Sequence, residues 1–173
     1  MTTTSDSSYI SKTYIPDNEE APASQIGATL EALAHTIRLR RDADESSYTY
    51  RLLSESPDKV LKKVMEEAGE VALAAKDVES WATSSLAAAL AYAAGAEQDL
   101  DAEDIAVQLP DDYQKSVDHL RYEAADVVYH LMVVLERYGI SLDEFAAELN
   151  NRMTDEERPA GAVRLRDECV NRG

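Results

Sequence analysis

Two acidic clusters, about fifty positions apart on two predicted helices, hold the residues best suited to chemistry. The first is Glu66, Glu67 and Glu70 in MEEAGEV; the second is Glu123 and Asp126 in YEAADVVYH. Each contains an acidic pair at i, i+3, which puts two carboxylates on one helical face. A soluble helix rarely needs carboxylates beside its apolar stripe. A site for a hard cation such as Mg²⁺ does need them, because such ions prefer oxygen ligands. Mg²⁺ held this way also engages phosphate oxygens, neutralises developing charge and lowers the pKa of an attacking water.

The helices that must position these groups follow from apolar periodicity. A first helix fits residues 26–41, with Ile26, Leu30, Leu33 and Ile37 on one face. Residues 42–56 are polar and aromatic and are expected to form a loop with a short turn. The next helix starts with Ser56 as cap, Pro57 at the first helical position and Asp58 at the positive helix end. Val60, Val64, Ala68, Val71 and Ala75 mark its stripe. Lys63, Glu67 and Glu70 fall along one flank, and Glu66 lies on the far side. A further helix is expected over 117–138, with Leu120, Val127, Leu131, Val134 and Tyr138 as its stripe. Glu123, Asp126 and His130 lie on its flank; Arg137, further along, suits a phosphate contact or a local acid. Gly139 is a suitable stop. Ser141 and Glu144 form a capping box, with Ile140 and Phe145 as a hydrophobic staple for the last helix, which ends near Arg152.

Length and composition bound the rest. A chain of 173 residues suggests one domain with tails. Residues 1–25 are polar, carry Pro16 and Pro22, and are expected to be a flexible arm; 154–173 form a loosely ordered tail. Between the acidic helices, WATSSLAAALAYAAGA over 81–96 is a strong helix former of weak amphipathicity, and an acidic stretch follows. No strand-period pattern appears, so the fold class is all-α, an antiparallel helical bundle. The net charge of −17 argues against nucleic-acid binding, and a phosphate-rich substrate needs cations or a basic patch to approach. No apolar run has membrane-spanning length and no signal pattern is seen, so the expected setting is cytoplasmic. Cys169, alone, excludes an intrachain disulfide and makes a cysteine-based zinc site a poor fit.

At its acidic clusters the chain resembles the phosphoribosyl-ATP pyrophosphohydrolases of histidine biosynthesis, within the all-α MazG-like nucleoside triphosphate pyrophosphohydrolases. The matching segments, in order, are TLEALAHTIRLRR, SYTYRLL, DKVLKKVMEEAGEVALAAKD and YEAADVVYHLMVVLERYGISLDEFAAELNNR. EExxE followed by ExxD is the superfamily pattern; SYTYRLL and the YH after ExxD point to the histidine branch. The resemblance implies Mg²⁺-dependent hydrolysis of phosphoribosyl-ATP to phosphoribosyl-AMP and pyrophosphate. It implies Glu67, Glu70, Glu123 and Asp126 as metal ligands, with Glu66 and Glu67 in catalytic roles. Lys63, Lys76, Tyr48, Arg51 and His130 become candidate substrate contacts. It further implies a homodimer that completes the bundle. The pyrophosphohydrolase domain spans 26–153, and the segment 78–118 is additional to the usual short crossing. A housekeeping nucleotide pyrophosphohydrolase and a non-catalytic helical interaction protein are the alternatives.

Overall fold

The structure, a computed structural model, describes residues 12–95 and 109–170. Among the described residues five α-helices follow one another: α1 Gln25–Leu39, α2 Tyr48–Ser54, α3 Pro57–Gly95, α4 Asp111–Arg137 and α5 Leu142–Asn151. Short 3-10 turns occupy Arg40–Asp42 and Asp167–Cys169. No strand occurs among the described residues, and the chain is all-α.

Local chemistry sets the helix ends. The Ser24 hydroxyl accepts from the Gly27 amide at 3.1 Å and caps α1. Ser56 accepts from the Asp58 amide at 3.4 Å, and Pro57 follows as the first residue of α3. At the end of α4, Gly139 takes φ +71°. The Ile140 amide then bonds the Leu135 carbonyl at 2.9 Å, and the Gly139 amide bonds that of Glu136 at 3.2 Å. This paired closure needs a left-handed residue, which glycine supplies without strain. Ser141 and Glu144 cap α5 reciprocally, as their spacing predicts.

α3 and α4 form the long antiparallel pair at the centre of the fold. Glu67 faces the Asp126–His130 stretch, and Glu70, one turn later, interacts with Glu123, one turn earlier. The core gathers on one side of this pair. Ile37 from α1, Leu52 and Leu53 from α2, Val60 from α3, and Met132, Val133 and Leu135 from α4 are all buried. Each such side chain contributes about 1.5–3 kcal/mol by leaving water.

Three expectations are corrected. The 42–56 stretch is not only loop, because α2 lies within it. Ser47 caps that helix, and Leu52 and Leu53 bury it against the core. The buried faces of α3 and α4 are also turned toward the carboxylates. Ala68 and Tyr138 are exposed, whereas Glu67, Glu123 and His130 are buried. α1 and α2 also pack on α4, with Tyr48 of α2 against His130, so the covered surface of α4 is wider than one stripe. Finally, the helix expected over 117–138 begins earlier, at Asp111. Residues 78–95 continue α3 without a break, an alanine-rich run with no proline to stop it. Residues 111–118 already belong to α4, and the rest of the acidic stretch, 96–108, lies outside the described residues.

Side chains tie the remaining segments down. Arg137 donates to the carbonyls of Leu52 and Leu53, both at 2.8 Å, and of Glu55 at 2.6 Å. It therefore closes the C-terminal end of α2. Glu136 receives Arg41 at 2.8 Å and Arg38 at 3.5 Å, which fixes the end of α1. Lys12 in the N-terminal arm pairs with Asp118 on α4. In the tail, Arg158 donates to the Asn150 and Met153 carbonyls, each at 2.7 Å.

Candidate active site

The antiparallel register of α3 and α4 brings the two acidic clusters together. Glu67, Glu123 and Asp126 each offer one carboxylate oxygen, and these oxygens lie within 4.8 Å of one another. Glu67 and Glu123 are only 5% and 7% exposed, and Asp126 is half-buried. Buried carboxylates are costly unless paired or bound to a cation. The all-oxygen donor set suits a hard divalent cation and offers nothing to a soft one.

Glu67 is the best-held member. Lys63 Nζ lies 2.9 Å from its Oε1, and His130 Nδ1 lies 3.8 Å from the same oxygen. The Lys63 hydrogen bond, chiefly, keeps the Glu67 carboxyl below its ordinary pKa. Glu70 sits at the exposed rim and hydrogen-bonds Glu67, which pushes the Glu70 carboxyl up. Two neighbouring carboxylates thus carry opposite shifts, the pattern of a shared proton in a crowded acidic site. Lys63 itself is pushed well above its usual range by Glu67 and Glu66.

Glu66 lies outside the cluster of three. It pairs with Lys62 at 3.2 Å and with Lys63 at 3.1 Å. Lys76 is farther still, bound to Glu79 at 2.5 Å, nine positions and roughly 13 Å along the helix axis from Glu67. Arg51 borders a cavity of about 510 Å³ with Glu45, Tyr50, Ser54 and Glu55, and its Nε is buried without a hydrogen-bond partner.

His130 is 4% exposed and both its ring nitrogens are engaged. A carbonyl only accepts, so Nδ1–H donates to the Asp126 carbonyl at 2.9 Å. In the neutral ring, Nε2 then accepts from the Tyr48 hydroxyl at 3.1 Å. Burial pushes the Tyr48 hydroxyl pKa up. Next to this pair, Thr49 and Tyr129 share a hydroxyl contact of 2.8 Å. These two contacts fasten α2 to α4 directly behind Glu67.

His119 was not singled out by its sequence position. Its Nε2 lies 3.1 Å from Glu123 Oε1. The i, i+4 spacing is readable, but surface pairs of that kind are common. Only the burial of Glu123 distinguishes this one.

An all-α fold with carboxylates converging from two antiparallel helices is consistent with the MazG-like class of pyrophosphohydrolases. The model of the phosphoribosyl-ATP pyrophosphohydrolase family matches residues 30–153, which contain every residue of the acidic cluster. The chain belongs to that family. It is 34% identical over 136 residues to a phosphoribosyl-ATP pyrophosphatase of Paracidovorax citrulli, covering 76% of this chain and 75% of the relative. The corresponding protein of Dechloromonas aromatica is 31% identical, covering 71% and 81%. That of Neisseria gonorrhoeae is 32% identical, covering 72% and 83%. No solved structure matches the chain.

Proposed function

We propose that this chain hydrolyses phosphoribosyl-ATP to phosphoribosyl-AMP and pyrophosphate, with Mg²⁺ held by Glu67, Glu123 and Asp126. Glu70 joins them from the rim. The observation that carries the proposal is the convergence of three carboxylate oxygens within 4.8 Å, inside the span matched by the family. When bound, the cation neutralises charge on the phosphates and lowers the pKa of a water.

The protein's own groups do the rest. Glu67 and Glu123 are buried, so their charges are little screened by solvent and pull strongly on a cation. Lys63 stands beside Glu67 and can turn its ammonium toward a phosphate oxygen as the substrate enters. Glu66 shares Lys63 with Glu67 and so helps to set where that ammonium rests. Water adds to a phosphorus of the α–β phosphoanhydride, the bridging P–O bond breaks, and phosphoribosyl-AMP and pyrophosphate separate. Positioning and electrostatic stabilisation supply most of the rate, as in phosphoryl transfers generally. Arg51, with its unpaired Nε, is the candidate for a further phosphate contact; Lys76 is a weaker one, being committed to Glu79. Tyr48 and His130 support the site from behind through their mutual hydrogen bond.

The exposed side of α3 carries Leu61, Met65 and Leu73. An apolar stripe of this kind supports a homodimer as the working form. No helix among the described residues is long and apolar enough to cross a membrane.

Replacement of single ligands tests the site. Glu67→Gln and Asp126→Asn should each lower kcat/KM at least about a hundredfold, because several kcal/mol of charge stabilisation go with the cation. Helical circular dichroism should stay unchanged. Near-normal turnover in both variants would remove the carboxylates from the mechanism.

A further inference from the structure

We infer that His119 is a positioning residue of the acidic site, acting through Glu123. The inference rests on the cation site proposed above and extends it by one residue. His119 lies one helical turn before Glu123 on α4, and its Nε2 is 3.1 Å from Glu123 Oε1. The two side chains sit in different surroundings: the imidazole is 61% exposed and the carboxylate 9%. The histidine therefore stands at the solvent edge of the site, while the group it touches points inward.

The other buried carboxylate of the cluster, Glu67, is held by Lys63 and has His130 close behind it. Among the described residues, His119 is the one basic side chain within ion-pair distance of Glu123. A glutamate has three rotatable side-chain bonds and loses that freedom when it binds a cation. A nitrogen that holds one of its oxygens removes part of this cost in advance and keeps the carboxylate turned toward Glu67 and Asp126. Partners of this kind around a metal ligand change metal affinity by about ten- to a hundredfold. A plain surface pair on a helix would leave cation binding untouched.

The test is a calorimetric Mg²⁺ titration of the full chain and of His119→Ala and His119→Gln, with urea unfolding of each in the absence of cation. His119→Ala should weaken Mg²⁺ binding about ten- to a hundredfold. His119→Gln should recover most of that loss, because its amide can reach the Glu123 carboxylate from the same helical position. The urea midpoints of the three proteins should coincide. Saturating Mg²⁺ should restore the kcat of His119→Ala. Mg²⁺ binding as tight in His119→Ala as in the unaltered chain would overturn the role of His119. So would a loss that His119→Gln does not recover. Failure of the unaltered chain itself to bind Mg²⁺ would overturn the site proposal instead, so the two failures are distinguishable.

Discussion

Glu67 and Glu70 are one turn apart on α3, and their surroundings move their carboxyl pKa values in opposite directions. Glu67 is held below its ordinary value, first by Lys63. Its contribution to stability is present above the unfolded pKa and is lost as pH falls through the folded one. Glu70 is raised, first by its hydrogen bond with Glu67. The folded chain binds that proton more tightly than the unfolded chain, so this contribution grows as pH falls and is lost as pH rises. At neutral pH the cation-free protein thus carries an unfavourable pair of like charges, which a cation relieves. Glu70→Gln should raise the thermal midpoint of the cation-free protein at pH 7, by a margin that shrinks as the pH is lowered. With Mg²⁺ present, the unaltered chain should gain more than the variant. A lower midpoint for Glu70→Gln without cation would contradict this assignment. Spacing alone paired Glu67 with Glu70 and Glu123 with Asp126. Their depth was not readable, because spacing places Glu67 and Glu123 on a helical face without showing what covers that face.

The smallest helix shows why local pattern was insufficient at the element scale. α2 has seven residues, too few to be stable alone. It forms because Leu52 and Leu53 enter the core and because Arg137, far along the chain, satisfies three carbonyls at its C-terminal end. No window of sequence contains both halves of that arrangement. Arg137→Met keeps the apolar stem and removes the donors. It should cost about 1.5–3 kcal/mol, the range for hydrogen bonds to a charged group, read as a lower urea midpoint. An unchanged midpoint would mean that the last turn of α2 needs no clamp. Where signals were local, the sequence was sufficient. Ser56-Pro57 opens α3, Gly139 closes α4, and Ser141 with Glu144 opens α5. The continuation of α3 through Gly95 was half visible, since the alanine-rich run favours helix. Its unbroken join to the acidic helix was not visible, because low amphipathicity gives no phase to follow.

For the whole molecule, a net charge of −17 and a polyanionic substrate are compatible only if a cation and a few basic groups mediate the encounter. In the proposed site, Lys63 beside Glu67, and three carboxylates gathered from the two long helices, would provide such a meeting point. Family membership and geometry converge on the same helical pair, since residues 30–153 include all of α3, α4 and α5. The most direct measurement is pyrophosphate release by the purified chain from phosphoribosyl-ATP and from ATP, side by side, with and without Mg²⁺. Mg²⁺-dependent release from phosphoribosyl-ATP, with little or none from ATP, is the predicted result. No release from phosphoribosyl-ATP, or turnover of ATP at an equal rate, would contradict the assigned function.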